Sequence, residues 1–160
     1  MGYRVGIIGP ESTGKSTLAK YLAKRYKGTC VPEYARMYIE RKGTQEVTYD
    51  ELCDIAKHQI EEIERTYHLS PITSHLYIFD TELIVTKVWF DYAFGRVPEW
   101  LNEAIKRLPM DVYLLTYPDL PWKPDPTRYN GSDEIRMELY ERYKAEIEAL
   151  NIPYYIITHC

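Results

Sequence analysis

Short, continuous apolar runs alternate along this chain with longer stretches whose apolar residues recur every three or four positions. The first kind predicts buried strands and the second predicts helices with one apolar face. Tyr3–Ile8, YRVGII, is the first such run, and it leads directly into a glycine-bearing loop. Leu18, Leu22 and Ala23 then keep helical spacing over residues 15–26, until Gly28 ends the segment. A second short strand is expected at TCV, residues 29–31, and Pro32 suits the start of a helix over 33–40. The clearest helix follows. Thr48 and Glu51 form a capping box, and Leu52, Ile55, Ala56, Ile60, Ile63 and Tyr67 mark one apolar face. The acidic run Glu61, Glu62 and Glu64 lies largely off that face and is expected to be solvated.

Residues 75–80, HLYIFD, predict a third strand that ends in a carboxylate. Residues 82–94 predict a helix apolar on most sides, and 98–108 an amphipathic one. A fourth strand is expected at DVYLLT, residues 111–116. The next stretch carries Pro118, Pro121, Pro124 and Pro126, which disfavours regular structure and predicts a long loop over about 117–132. Ile135, Leu139, Tyr143 and Ile147, at four-residue spacing, place a last helix at 133–150 ahead of a final strand, YYIIT. Strand and helix alternating in this way imply a parallel five-stranded sheet with helices on both faces, a three-layer α/β sandwich.

Composition then acts mainly by exclusion. The 160 residues suit one domain, 1–160. Lys and Arg total 20 against 24 Asp and Glu, a net charge of −4, so no nucleic-acid partner is expected. Cys30, Cys53 and Cys160 form no C-x-x-C and are odd in number, which reads as reduced thiols in a cytoplasmic protein. His58, His68, His75 and His159 lack metal-ligand spacing, so no structural zinc is expected. No apolar run of about 18 residues and no basic-then-apolar leader stands in the sequence. Gly6 occupies the position where the Met1-Gly2 myristoylation pattern wants Ser or Thr. The expectation is a soluble protein with no membrane partner; homo-oligomerisation is left open.

Candidate chemistry begins in the loop after the first strand. GPESTGKST, residues 9–17, fits G-x-x-x-x-G-K-[ST], and it follows an apolar strand and opens a helix, as a P-loop does. Backbone N–H groups of such a loop, with the helix N-terminus behind them, cradle phosphate. Gly9, Glu11, Ser12, Thr13, Gly14, Lys15, Ser16 and Thr17 are therefore the expected nucleotide-binding residues. Lys15 would neutralise β- and γ-phosphate charge, and the Ser16 hydroxyl would ligate Mg²⁺. Asp80, ending its strand, is the carboxylate expected in the metal shell, with Glu82 placed to share that role. Glu33 and Arg36, in PEYAR, fall three apart after the second strand. Glu33 there suits an acid–base role toward an attacking alcohol, and Arg36 suits an acceptor or phosphoryl oxygen. A plain surface ion pair is the alternative. The proline-rich loop holds Asp119, Trp122, Asp125 and Arg128, and Arg136 follows on the last helix; arginines there suit transition-state charge once a lid closes. Tyr34, Tyr38, Trp89, Phe90 and Tyr92 offer either stacking surfaces for a flat ring or core packing.

Taken together, GPESTGKSTL, PEYAR, YIFDTE and PDLPWKPDPTR resemble, in matching order from Gly9 to about Arg136, the ribosylnicotinamide kinase domain of NadR-type proteins. That resemblance implies a P-loop NTPase fold of the nucleoside and nucleotide kinase type, with ATP and Mg²⁺ as cofactors. It implies that Gly14, Lys15, Ser16 and Thr17 bind phosphate and metal. Asp80 would take the Walker-B-like role, Glu33 and Arg36 would face the acceptor, and Arg128 would belong to the lid. Two features depart from the family. Its lid tends to read D-G-x-R, whereas here it is Asp125-Pro126-Thr127-Arg128, whose proline stiffens the turn. The adenylyltransferase and DNA-binding domains that NadR-type proteins carry ahead of the kinase are not in this sequence, so neither activity is expected of it. In related kinases the loop after the last strand helps to hold adenine. The chain stops at Cys160, which implies a weakly held base or a fragment of a longer protein.

The expected function is transfer of the γ-phosphate of ATP to a nucleoside hydroxyl, with nicotinamide riboside the first candidate acceptor. Alternatives are a kinase of a deoxynucleoside or a vitamin alcohol, and a regulatory P-loop ATPase. An N-K-x-D guanine-reading motif is missing, which counts against a GTPase switch. Glu11 is an unusual carboxylate for a phosphate loop. The third P-loop position lies toward the acceptor in other P-loops, so Glu11 is expected to meet a ribose hydroxyl or to pair with Arg36.

Overall fold

Alternate side chains along each strand go to opposite faces, and here both faces are covered. In the computed structural model, which describes residues 2–10, 13–44, 46–68, 75–118 and 133–158, five parallel strands form one sheet. They are β1 (Tyr3–Ile8), β2 (Thr29–Val31), β3 (Leu76–Asp80), β4 (Val112–Thr116) and β5 (Tyr154–Ile157), in the spatial order β2-β3-β1-β4-β5. The helices are α1 (Lys15–Arg25), α2 (Tyr34–Lys42), α3 (Tyr49–His68), α4 (Leu83–Phe94), α5 (Glu99–Arg107) and α6 (Asp133–Leu150). Val5 and Ile7 of β1, Ile78 of β3 and Leu114 of β4 pack with Ala19, Leu18 and Leu22 of α1 on one face. Ile8, Tyr77, Phe79, Tyr113 and Leu115 point the other way, into a larger core built with α3, α4, α5 and α6. The expected three-layer α/β sandwich is thus the observed one. Its layers are unequal, with the long helices gathered on one side.

Gly6 is part of that inequality. A Cβ there would stand 2.9 Å from the ring of Tyr113, so the missing side chain leaves room for a buried aromatic in the next strand. The same core holds Phe90, fully buried, with Tyr49 edge-on at 5.2 Å, which settles Phe90 as core and not as a ligand platform.

Element boundaries differ from expectation by one or two residues, and each shift has a local cause. Glu33 is the extended residue before α2, not its first turn, and α2 runs on to Lys42 because Gly43, at φ 85°, is what ends it. Pro98 likewise precedes α5. Asp111 stays outside β4 because its carboxylate accepts the Arg4 N–H at 2.7 Å. The capping box is present as drawn from sequence: Thr48 N–H donates to Glu51 Oε1 at 2.9 Å and Glu51 N–H to Thr48 Oγ1 at 3.1 Å. The acidic run of α3 needs correction, because only Glu61 is fully exposed. Glu62 is partly buried, and burial pushes its carboxyl up to about 7 against the pull of Arg65. Glu64 takes Arg107 at 2.7 Å. A charge run read along the sequence misses neighbours brought in by α2 and α5. No helix among the described residues is long and apolar enough to cross a membrane.

At the amino end of the sheet, Arg4 fastens the last turn of α3. Its Nε donates to Thr66 Oγ1 and its Nη2 to the Thr66 carbonyl, both at 2.8 Å, with the guanidinium 3.4 Å over the Tyr67 ring. A cation here also meets the negative end of the α3 dipole. Arg4→Ala should therefore cost about 2–4 kcal/mol of stability in urea denaturation. Nucleotide affinity, measured on the folded fraction, should not change, because the candidate site lies at the opposite end of the strands.

Candidate active site at the carboxyl end of the sheet

Strand register brings the chemistry-bearing residues to one edge. Ile7 of β1 pairs with Asp80 of β3, Val31 of β2 with Phe79, and Ile8 with Leu115 of β4. Gly9, Glu33, Thr81 and Thr116 therefore all lie within a residue or two of the same level. In an open parallel sheet this carboxyl edge is where the loops leave room for ligands.

The loop after β1 turns away within one residue. A Cβ on Gly9 would collide with the Thr116 hydroxyl and come within 2.8 Å of the Thr116 carbonyl, so only glycine lets the two strand ends pass. Thr13 then pins the loop. Its Oγ1 meets the Pro10 carbonyl and the Thr116 hydroxyl, both at 2.6 Å, although Thr116 is 103 positions away. Gly14, at φ 83°, takes the left-handed conformation and precedes α1. The first-turn N–H groups of Lys15, Ser16 and Thr17 accordingly face the loop with no intrahelical acceptor. Lys15 is buried, its Nζ donating to the carbonyls of Gly9 at 2.9 Å and Pro10 at 3.0 Å. The cation is curled into the concavity of its own loop, where an anion would meet it.

Ser16 Oγ donates to Asp80 Oδ2 at 2.6 Å, joining α1 to the end of β3. Asp80 is buried, and its other oxygen, Oδ1, has no hydrogen-bond partner among the described residues. A hydroxyl beside a carboxylate with one open oxygen fits a small hard cation such as Mg²⁺, which takes few protein oxygens and keeps the rest of its shell for water and phosphate. Among the described residues no group of three or more His, Cys, Asp or Glu side chains forms a metal cluster. That is no obstacle to a site in which a nucleotide supplies the remaining ligands.

Glu82 does not share the metal role. Its side chain accepts the Ile84 N–H at 2.8 Å and caps α4. Burial pushes its carboxyl up to about 7, against hydrogen bonds from the Ile84 and Leu83 amides and from Tyr113.

Glu33 stands at the N-cap position of α2 with no side-chain capping bond, partly buried, two residues past β2. Arg36, one turn on, lies 3.9 Å from Glu40. Arg136 is 1% exposed in the first turn of α6, with Nη1 3.2 Å from Asp133. Tyr117, just past β4, packs on Tyr140 of the same helix, so Arg136, a turn nearer the start, sits over the carboxyl edge. Glu11, Ser12 and Arg128, and with them Asp119, Trp122 and Asp125, lie outside the described residues.

Three buried polar side chains were not anticipated, two of them at this edge. Thr116 ends its strand as the partner of Thr13; a hydroxyl closing an apolar run was the available signal. Thr81 follows Asp80 at φ 70°, a rare conformation for a β-branched residue, and its buried hydroxyl has no partner among the described residues. Gln59 is buried between α3 and α4, bonded to Thr86. Tyr34 stacks on His58, with ring centroids 3.7 Å apart and planes 13° from parallel, which fixes α2 against α3 next to Glu33.

A P-loop entering α1, with a strand-end aspartate across from it on a five-stranded parallel sheet, defines the P-loop α/β class. The chain belongs to the family described as an AAA domain (AAA_28), whose model matches residues 4–160. It is 28% identical over 153 residues to the trifunctional NAD biosynthesis/regulator protein NadR of Escherichia coli (strain K12), a match that covers 94% of this chain and 37% of that protein. Two solved NadR structures superpose with a TM-score of 0.77 over 97% of this chain. One is a complex with NAD and AMP-PNP, 24% identical, and the other a complex with NR, 25% identical; the chain covers 44% and 43% of them. The chain thus spans less than half the length of these relatives. The resemblance to the NadR-type kinase domain drawn from GPESTGKSTL and PEYAR stands, for this part of those proteins.

Asp80→Asn keeps an oxygen for the Ser16 hydroxyl and removes the charge. Calorimetry with AMP-PNP should show the tightening by Mg²⁺ reduced about tenfold or more, with affinity in EDTA unchanged. An unaltered Mg²⁺ response would remove Asp80 from the metal shell.

Proposed function

We propose that this domain is an ATP-dependent kinase that transfers the γ-phosphate to a nucleoside hydroxyl, with nicotinamide riboside as acceptor and nicotinamide mononucleotide as product. The observation that carries this reading is the edge just described: Lys15, Ser16 and Asp80 together, with Glu33 two residues past the end of β2, the strand beside β3. A bare ATPase has no use for the second half. The likeness to NadR, solved both with AMP-PNP and with NR, supports the same assignment.

Each residue then has a task. The N–H groups of residues 13–17, with Glu11 and Ser12 completing the loop, hold the phosphate chain. Lys15 leaves the Gly9 and Pro10 carbonyls and turns to the β- and γ-phosphates. Ser16 and Asp80 would hold Mg²⁺, which when bound would neutralise phosphate charge. Glu33 accepts a hydrogen bond from the acceptor hydroxyl, aligns it for in-line attack and takes its proton as the phosphorus–oxygen bond forms. Arg36 and Arg128 stabilise charge on the phosphoryl group, and Arg136 holds the start of α6 against the nucleotide. Glu11 lies toward the acceptor, next to a ribose hydroxyl or Arg36. The reading includes a single domain over residues 1–160, a cytoplasmic setting and no nucleic-acid partner.

A nucleoside panel with Mg·ATP, followed by ADP release, tests the function: ADP should appear only with acceptor, and acceptor-independent hydrolysis would favour a regulatory ATPase. Lys15→Ala should lower turnover by about a thousandfold or more while thermal unfolding stays cooperative. Glu33→Gln should cut kcat by about a hundredfold or more with ATP KM within a few-fold of wild type. An unchanged kcat would withdraw Glu33 from the chemical step.

A further inference from the structure

Helix α2 follows Glu33 and carries Arg36 in its first turn, yet it is the one helix with no buried residue among those described. A helix with so little apolar packing is placed by its few discrete contacts. Contacts with α3 at the two ends of α2 do this. At the carboxyl end, Lys42 Nζ donates to Glu51 Oε1 at 2.6 Å and the Tyr38 hydroxyl to Glu51 Oε2 at 3.4 Å. At the amino end, the Tyr34 ring stacks on His58, two turns further along α3, with centroids 3.7 Å apart and planes at 13°.

The amino-end contact is the one that reaches the candidate site. Tyr34 is bonded directly to Glu33, so a displaced ring moves the Glu33 backbone within one residue. Glu33 itself is extended, at φ −68° and ψ 104°, and makes no side-chain capping bond to α2. His58 turns its ring face to Tyr34, while its Nε2 stands 3.8 Å from Glu62 Oε2, beyond hydrogen-bond distance. The flat face of the ring, and not its nitrogen, restrains α2.

We propose that His58 is a positioning residue for phosphoryl transfer: stacked on Tyr34, it sets the amino end of α2 and holds Glu33 at the acceptor hydroxyl. It acts through Tyr34 and takes no proton itself. The step it serves rests on the proposed function; the anchoring of α2 by His58 does not. Misplacing an aligned group lowers the rate of reaction more than it weakens nucleotide binding.

The test uses the whole chain with Mg·ATP and nicotinamide riboside. His58→Ala should lower kcat about tenfold or more, with the ATP KM within about twofold of wild type. His58→Phe keeps a flat ring and should restore kcat to within about threefold. In a Glu33→Gln background, His58→Ala should change kcat by less than about twofold, because the group it positions is already gone. Amide hydrogen exchange over residues 34–42, which needs no acceptor, should be faster in His58→Ala and near wild type in His58→Phe. His58→Gln, long but without a ring, gives the same readouts should the alanine variant misfold. Unchanged kcat or unchanged exchange on loss of the ring overturns the proposal. So does an additive loss in the double variant, or a phenylalanine variant as slow as the alanine one. The proposed function is judged on wild type alone: if it phosphorylates no nucleoside, that reading falls and the positioning role with it. An active wild type with indifferent His58 variants overturns only the role of His58.

Discussion

The hydrogen bond from Ser16 to Asp80 holds the site together. It joins the first turn of α1, which covers one face of the sheet, to the last residue of β3, whose neighbours build the other face. Asp80 gives one oxygen to Ser16, and its other oxygen has no partner among the described residues, so the pair that closes the fold has room for the proposed cation. Chain entropy explains why the pair needs the whole sheet. Groups 64 positions apart meet within hydrogen-bond distance only after β1 and β3 have paired in register.

The second constraint is crowding at the ends of β1 and β4. Gly9 passes Thr116 with no room for a Cβ, and Thr13 hydrogen-bonds back to the same threonine. Both ends of the loop, at Gly9 and Thr13, are thereby fixed to the end of β4. Lys15 is stored inside the loop on the loop's own carbonyls. Among the described residues, buried polar atoms of Asp80 and Thr81 at the same edge have no hydrogen-bond partner.

The phosphate half was legible in sequence because it is local. Gly9 to Thr17 is one continuous stretch, and its geometry follows from glycine positions and from the strand and helix on either side. Asp80 was legible from the end of an apolar run. Glu33 and Arg36 were legible as a charged pair after a strand, whereas Gln59, buried against Thr86, lies off the periodic face drawn through Ile60 and Ile63. Glu82 and Glu62 were misread for the same reason: a carboxylate in sequence carries no sign of the helix end or the neighbouring helix that will desolvate it.

By itself the sequence determined the order of strands and helices, the parallel sheet covered on both faces, and the phosphate loop, since these depend on periodicity and on glycine, proline and capping residues a few positions apart. Only the tertiary structure decided which carboxylate meets Ser16, that Thr116 closes the loop, that Glu82 caps a helix, and that the Gln59 amide is buried with one end open. Those outcomes depend on register between strands and on helices packed across the sheet. Such contacts join residues far apart in the chain, and no local pattern encodes them.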